Sequence, residues 1–400
     1  MPVRREMELL LLAVRTSPGE TAKKRICEIL AAGIDQQELT SLAMQHGLAP
    51  LLYRNARIHF AGVFPSDLYD HLRKLYHINS ARCLRLTSAL LKILEGLEAG
   101  GVKAMPYKGP ALADFVYGNV ALRHFNDLDI LVRRSDALKA RDLLVAMGYR
   151  PERKLSKTQA VTFTRWNSEI GLFDDGGKVA IELQWNIVPG YFSFPMERLG
   201  LWEDGPVIRT GDFRFPAMSP EEMLVVLCVH GCKDLWGRLI WVHDIAELIR
   251  QKRGLDWTRL MGLSRNCGSH RMLCIGLQLA EDLFGPVLPG FVVKSLDEDD
   301  DVGHLARWIK FRIFGDNSER QSILKEMVFY SNIRERWQDR LGVFGKYAMN
   351  LLFGDWNPAP LPDYLFPLAY LLRPVTLMAR YGEGALRQFC RAGWDGRHVG

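Results

Sequence analysis

The sequence lacks the features that mark secreted, membrane-spanning or repetitive proteins. Its seven cysteines are scattered, odd in number and without a CxxC pair, which favours reduced thiols in a cytoplasmic protein over a disulfide framework. It has no internal repeat and no low-complexity tract. The most apolar late segment, residues 364–379, is interrupted by Pro367, Arg373 and Pro374, so we expect no membrane span.

Charge of one sign is not concentrated either. The 400 residues carry 52 Lys and Arg against 46 Asp and Glu, a net charge of +6. This mild excess suits an anionic ligand such as a nucleotide, but without a basic patch it does not indicate a nucleic-acid partner. With 48% hydrophobic and 24% charged residues, the composition is that of a globular protein, and the length predicts two or three domains.

The hydrophobic pattern divides the chain into three regions. In residues 1–100 leucines recur at helical spacing, most clearly over 65–99, and this pattern predicts a helical region. Residues 101–218 predict an α/β core of short β-type runs and turns. Residues 219–400 predict a helical domain, which opens on the helix-start signature Ser219-Pro220-Glu221-Glu222. The predicted fold is α+β: a mixed β-sheet with helices on one face, flanked by N- and C-terminal helical domains.

Several elements can be placed more closely. A helix is expected over 135–147, with Ser135 as its N-cap and Gly148 at its end. Helices are also expected over 236–250, 270–284 and 333–352. The run Asp174-Asp175-Gly176-Gly177 predicts a hairpin turn. The expected strands are 102–107, 127–132, 161–165, 171–173, 179–185 and 207–209.

Asp127 and Asp129 are the strongest candidates for a chemical role. They lie two residues apart in the strand-like run 127–132, so both side chains should project from one face while the apolar residues face the other way. Two ionised carboxylates side by side repel, and a bound divalent cation relieves that repulsion. Taken alone, the pair would also fit a solvated strand edge.

A glycine turn precedes this strand. Lys108-Gly109 ends a short apolar run, and glycine lets backbone N–H groups approach a phosphate closely. Mg²⁺ prefers a few carboxylates together with phosphate oxygens and water. The turn and the two acids therefore predict a site for Mg²⁺ or Mn²⁺ and a nucleoside triphosphate. Lys108 is a candidate phosphate ligand there, with a structural salt bridge as the alternative.

Glu182 is the candidate third acid. It is flanked by Ile181 and Leu183 in the run 179–185, and a charge in an apolar strand needs a partner. In a two-metal site a third acid helps to hold the ion that activates the attacking hydroxyl. A buried pair between Glu182 and Arg123, or another base, would also explain its position.

These residues resemble the motifs of a bacterial family of uncharacterised nucleotidyltransferases in the polymerase-β-like superfamily. Two positions depart from the usual pattern: Pro110 replaces the serine after the glycine, and Glu182 replaces an aspartate. The resemblance covers most of the chain through Lys108-Gly109, Arg123-x3-Asp127-x-Asp129-x-Leu131-Val132, the acidic strand ending at Trp185, His46-Gly47-Leu48-Ala49-Pro50-Leu51-Leu52-Tyr53, His230-Gly231-x-Lys233-x2-Trp236-x-Arg238-Leu239-x-Trp241-x2-Asp244-Ile245 and Leu371-Leu372-Arg373-Pro374.

The resemblance implies roles for the acids and for the turn. Asp127, Asp129 and Glu182 would be the catalytic metal ligands, and Gly109 would cradle the triphosphate. Arg123 would neutralise triphosphate charge, or instead form a structural salt bridge to the same carboxylates.

The helices after the core contain further candidates. His230, Lys233 and Arg238 would contact the nucleotide or the acceptor. For His230 the alternative is a core histidine, the commoner role of a lone histidine on an apolar helix. Asp244 is expected to cap a helix or to pair with a neighbouring base.

The function that these features predict is nucleotidyl transfer dependent on Mg²⁺ or Mn²⁺. An acceptor hydroxyl would attack the α-phosphorus of a nucleoside triphosphate and release pyrophosphate. The acceptor would be a small molecule, a peptide or a protein, and the sequence does not indicate an oligomeric state. Two alternatives stay open: kinase-like phosphoryl transfer on the same scaffold, and a non-catalytic nucleotide-binding or partner-binding protein.

Overall fold

The computed structural model describes residues 4–345 except 154, 193, 204–205, 211–212, 316–322, 337–338, 341 and 343–344. The expected C-terminal motif at 371–374, the apolar segment 364–379 and most of the expected helix 333–352 lie outside the described residues. Within the described residues, no helix is long and apolar enough to cross a membrane.

The N-terminal region is helical, as the leucine spacing predicts. Its longest helix is more than twice the length of any other there and ends where Gly100 and Gly101 follow it. In the described part of this region the helices are α1 Arg5–Ala13, α2 Glu20–Ala31, α3 Gln36–Gln45, α4 Ala49–Ile58 and α5 Ser66–Ala99.

The central region contains a five-stranded mixed sheet and a separate two-stranded hairpin. The strands of the sheet are β1 Ala104–Pro106, β2 Asp127–Val132, β3 Arg150–Pro151, β4 Glu169–Phe173 and β5 Ala180–Gln184, and the hairpin is β6 Val207–Thr210 and β7 Phe213–Pro216. The helices of this region are α6 Gly109–Tyr117, α7 Ala137–Ala146 and α8 Lys157–Trp166.

The order of the strands across the sheet is β1-β2-β5-β4-β3. β2 and β5 pair in parallel, and the other neighbours pair antiparallel. The predicted hairpin turn at 174–177 joins β4 to β5. The parallel pair therefore stands at the centre of the sheet, and it contains the three predicted acids.

One face of the sheet is covered by helices. Leu128, Ile130 and Val132 of β2 point into this face and are buried. The long helix α5 packs against them through Leu90 and Ile93, and α7 belongs to the same core. The prediction of a mixed sheet flanked by helical regions is confirmed. Helices do not cover one face alone, because Met105 and Leu131 on the opposite face are buried in the core that the sheet shares with the helical regions.

The C-terminal region is helical and begins as its signature predicts. Ser219 and Glu222 form a capping box, in which the Ser219 hydroxyl accepts from the Glu222 N–H and the Glu222 carboxylate accepts from the Ser219 N–H. The described helices are α9 Pro220–Lys233, α10 Leu239–Gln251, α11 Trp257–Asn266, α12 His270–Phe284, α13 Gly290–Asp297, α14 Asp300–Phe314 and α15 Ile323–Asn332.

Leu52 from the N-terminal region and Leu224 and Leu273 from the C-terminal region lie in one continuous hydrophobic core. The two helical regions therefore pack together although they are far apart in the chain. The division of the chain at residues 100/101 and 218/219 stays a prediction.

Some expected elements differ in the structure. Residues 161–165 are not a strand but part of α8, which Ser156 and Gln159 start with a capping box. Ser135 does not cap α7, because a short 3₁₀ turn over Arg134–Asp136 precedes the helix. The helix expected from residue 236 begins at Leu239, since Leu235 and Trp236 adopt left-handed backbone angles with φ of 53° and 54°.

Candidate active site

Asp127 and Asp129 occupy the start of β2 on the face of the sheet opposite α5. Asp129 is only 5% exposed, whereas Asp127 is partly exposed. Because successive side chains of a strand alternate, Leu128, Ile130 and Val132 point the other way. The predicted placement of the two acids on one face and of these three residues on the other is confirmed, and Leu131, beyond the acids on their own face, is buried in the other hydrophobic core.

Glu182 lies beside this pair. Its Cα is the register partner of the Asp129 Cα in the parallel pairing of β2 with β5, so the two side chains project from the same face. The structure therefore brings together all three acids that the sequence singles out.

A fourth acid, Glu169, lies on the same face and was missed by the sequence reasoning. It opens β4 and is the register partner of Gln184 on β5. Part of the signal was present, because the turn predicted at 174–177 indicates that the strands on either side of it pair. In the structure the loop closes by the hydrogen bond from the Asp174 N–H to the Val179 carbonyl, two residues beyond the predicted turn, and this register places Glu169 opposite Gln184. The strand was expected to begin only at Gly171.

The carboxylates raise one another's pKa values. Burial, together with Asp129, Glu169 and Asp127, raises the pKa of Glu182 to about 8. Burial and Asp129 raise the pKa of Asp127. Burial is also the main reason why the pKa of Glu169 is raised. The face thus concentrates negative charge that positive charge would stabilise.

Lys108 supplies part of that positive charge. Its Nζ donates to Oδ1 of Asp129 at 3.0 Å, and both side chains are at least nine-tenths buried. Burial alone would lower the pKa of the Lys108 ammonium, but Asp129, Tyr107 and Glu182 outweigh it and raise that pKa. The lysine beside the glycine turn therefore contacts the acids directly.

Gly109 begins α6 in a conformation that favours glycine. Its φ is +54°, and a Cβ at this position would lie 3.2 Å from the carbonyl oxygen of Asp127. The first turn of α6 thus lies against the start of β2. No side chain caps this helix, and the N–H groups at a helix start favour anions.

Arg123 is engaged elsewhere. Its Nε donates to both carboxylate oxygens of Asp244, at 3.0 and 3.2 Å, and Tyr117 donates its hydroxyl to the same carboxylate. The salt-bridge alternative for Arg123 is therefore observed, but with Asp244 on α10 rather than with the three acids. The expectation that Asp244 pairs with a base is confirmed.

His230 and Lys233 lie near the end of α9. His230 is buried, and its Nδ1 is 3.2 Å from a carboxylate oxygen of Asp234. Burial, with Lys108 and Lys233 nearby, holds the pKa of His230 well below its usual value. Its ring packs edge-on against Trp241 at 5.1 Å.

The positive charge of Lys233 acts on the acidic face, because it lowers the pKa of Glu169 and so offsets part of the rise that burial causes. Its Nζ is 3.6 Å from a carboxylate oxygen of Asp234. Arg238 precedes α10 and is exposed. Its charge contributes to lowering the pKa values of His46 and His124.

A ready-made metal site is not formed by these side chains. Among the described residues, no three Asp, Glu, His or Cys side chains are gathered closely enough to hold one ion. Lys108 and Gln184 both donate to Asp129. The acids share a face and an all-oxygen chemistry that suits Mg²⁺. Gln184 links Asp129, Glu182 and Glu169 by hydrogen bonds, and Lys108 adds one to Asp129.

Comparison with known proteins identifies the family. No curated protein matches the chain. A family model described as "Uncharacterised nucleotidyltransferase" matches residues 32–285, which is more than half of the chain and includes the four acids, Lys108 and Gly109. The family supports a general role in nucleotidyl transfer. The chain therefore belongs to the uncharacterised nucleotidyltransferase family.

Proposed function

We propose that the protein transfers a nucleoside monophosphate from a nucleoside triphosphate to an acceptor hydroxyl, with the help of Mg²⁺ or Mn²⁺, and releases pyrophosphate. The observation that carries this proposal is the register of the central strands. Asp129 stands directly beside Glu182, and Asp127 projects from the same face. Family membership supports the class of reaction.

The acids are suited to hold divalent cations. Asp127, Asp129 and Glu182 would provide carboxylate oxygens, the ligands that Mg²⁺ and Mn²⁺ prefer. The raised pKa of Glu182 reflects burial and like charge, which a cation would offset. When bound, the ions would supply charge stabilisation at the phosphate oxygens. Binding at Asp129 would exchange the contact with Lys108 for one with the metal.

The phosphates would lie at the start of α6. Gly109 leaves room there for the backbone N–H groups to donate, and Lys108, once it leaves Asp129, can reach a phosphate from the same turn. Lys233 and His230 lie at the end of α9, and Arg238 follows in the chain. The charge of Lys233 acts to lower the pKa of Glu169, and the charge of Lys108 acts to lower the pKa of His230. Lys233, His230 and Arg238 stay proposed contacts of the nucleotide or the acceptor.

The products of the reaction test this proposal. The protein is incubated with each nucleoside triphosphate, labelled at the α- or γ-phosphate, with Mg²⁺ or Mn²⁺ and a cell extract as the source of acceptor. We expect α-label on an acceptor and pyrophosphate in solution. A nucleoside diphosphate together with γ-label on an acceptor would instead show kinase chemistry and would refute nucleotidyl transfer.

Asp129→Asn is the critical variant. It should lower the rate by about a thousandfold or more, because a metal-binding charge is lost. Circular dichroism checks that the variant is folded, since Asp129 is also the buried partner of Lys108. The matched control is Asp142→Asn, which alters an exposed carboxylate on α7 and should leave the rate unchanged. Full activity in a folded Asp129→Asn variant would contradict the proposed role of the acids.

A further inference from the structure

Gln184 places one carboxamide among three carboxylates. Its Nε2 lies 2.9 Å from Oε2 of Glu182, 3.1 Å from Oε2 of Glu169 and 3.2 Å from Oδ1 of Asp129. These acids come from β5, β4 and β2, and Gln184 is only 1% exposed. An amide nitrogen has two hydrogens, so at least two of the three oxygens share one hydrogen or bond to it in turn. One amide nitrogen thus links acids from three strands.

Tyr107 fixes the direction in which this amide faces. The Tyr107 hydroxyl donates to Oε1 of Gln184, and the tyrosine is fully buried. Burial raises the pKa of the Tyr107 hydroxyl, so it stays protonated and able to donate. With Oε1 accepting from Tyr107, Nε2 faces the side-chain oxygens of the acids and donates to them.

The amide differs from Lys108 in one respect that matters for metal binding. Lys108 and Gln184 both donate to Asp129. The ammonium of Lys108 brings a positive charge that would compete with a divalent cation. The neutral amide orients the carboxylates without adding charge, and hydrogen bonds that orient metal ligands strengthen metal binding.

From this geometry we infer that Gln184 is a positioning residue: held by Tyr107, it sets Asp129 and Glu182 for a divalent cation and ties Glu169 to them as a fourth acid. The inference rests on the proposed function, since it concerns the same site. It adds two residues, Gln184 and Tyr107, that would act on the metal only through the carboxylates.

The test measures binding of Mn²⁺ alone, from the electron paramagnetic resonance signal of the free ion, in the full chain. Gln184→Leu should weaken Mn²⁺ binding by about 10- to 100-fold. Tyr107→Phe, which removes one hydroxyl and keeps the ring, should weaken it by a smaller factor. The matched control is Gln278→Leu, because Gln278 also donates to a carboxylate, that of Asp282 on the same helix α12, and should have no effect.

A double-mutant cycle separates positioning from a general structural role. If Tyr107 acts through the amide, Tyr107→Phe should have little further effect once Gln184→Leu is present. Unchanged Mn²⁺ affinity in either folded single variant, or losses that simply add, would overturn the inference. Should Gln184→Leu fail to fold, as judged by circular dichroism, Tyr107→Phe decides the matter by its effect on Mn²⁺ affinity.

Mn²⁺ binding and label transfer by the wild-type protein distinguish failure of the proposed function from failure of the positioning role alone. If the wild-type protein binds no Mn²⁺ and transfers no label from any triphosphate, the proposed function fails and the inference fails with it. If the wild type binds Mn²⁺ and is active while the Gln184 and Tyr107 variants match it, only the positioning role fails.

Discussion

Arg123 and Asp244 form a buried ion pair that joins the segment before β2 to α10. The Arg123 Nε lies 3.0 Å from Oδ2 of Asp244, and the two side chains are 6% and 0% exposed. Asp244→Asn would leave the guanidinium buried without its counter-charge. We expect the free energy of unfolding, measured with urea, to fall by about 3–5 kcal/mol.

The exposed pair Arg141–Asp142 on α7 provides the control for this prediction. Its N–O distance is shorter, at 2.7 Å, but the Asp142 side chain is 67% exposed. Asp142→Asn should therefore change the free energy of unfolding by less than about 1 kcal/mol. Equal losses in the two variants would mean that burial of the Arg123–Asp244 pair does not decide its contribution.

Lys108→Met should have opposite effects on the binding of the metal and of the nucleotide. Mn²⁺ alone should bind several-fold more tightly, because the ammonium no longer competes for Asp129. Binding of a nucleoside triphosphate at saturating Mn²⁺ should weaken by about tenfold, since a charged phosphate ligand is lost. Calorimetric titration of each ligand measures both effects.

Lys103→Met is the control, because Lys103 lies just before β1 and its Nζ donates at the surface to the carbonyl of Trp202. It should change neither affinity. If Lys108→Met weakens the binding of Mn²⁺ alone, then Lys108 supports the arrangement of the acids instead of competing with the ion.

Gly231→Ala should destabilise the protein because no space exists for a methyl group. A Cβ at Gly231 would lie 2.6 Å from the ring of Trp236, which is fully buried and stands in a left-handed backbone conformation. Neither the ring nor its backbone can yield easily. We expect the free energy of unfolding to fall by about 1–3 kcal/mol, as measured by urea titration.

Gly262→Ala, in another helix, should change the free energy of unfolding in the opposite direction. Gly262 lies inside α11, and nothing stands within 4 Å of the position of its Cβ. Alanine is the better helix former, so this variant should gain up to about 1 kcal/mol. A stabilised Gly231→Ala variant would show that Trp236 can move away from α9.

The sequence predicts the parts of the site that depend on neighbouring residues in one strand, but not the parts that depend on contacts between distant segments. The shared face of Asp127 and Asp129, and the opposite face of Leu128, Ile130 and Val132, follow from strand alternation alone, which is local. The apolar neighbours of Glu182 and the need for a third acid indicated this residue, but its position beside Asp129 requires the pairing of β2 with β5, which the sequence pattern did not give. Glu169 was missed because the start of β4 was placed two residues late.

The other differences also have local or tertiary causes. Residues 161–165 read as a β-type run, but the capping box at Ser156 and the helical spacing of the inward-facing Ala160 and Phe163 decide for α8. The partner of Arg123 could not be predicted, since Asp244 lies 121 residues later. A buried charge predicts that a partner exists, but not which one.

His46 makes the protein sensitive to acid. Its ring is buried, and its Nδ1 accepts from the N–H of Leu239 at 3.4 Å. Burial, with a smaller effect of Arg238, lowers the pKa of His46 to about 4, whereas an exposed histidine has a pKa of about 6.5. Between these two values the unfolded chain binds a proton at His46 that the folded chain does not.

Above pH 6.5, where His46 is neutral in both states, it should not reduce the free energy of unfolding. As the pH drops from 6.5 toward 4, the free energy of unfolding should fall, because only the unfolded chain takes up the proton at His46. The loss at this one residue is at most about 3 kcal/mol.

His46→Asn keeps an acceptor near Nδ1 but cannot take up the proton, so the free energy of unfolding of this variant should fall less steeply over this range. His71→Asn, at an exposed position of α5, should keep the wild-type slope. Urea titrations at half-unit steps from pH 7 to 4 measure these slopes, and identical slopes for His46→Asn and the wild type would show that the folded protein accepts the proton at His46 without cost.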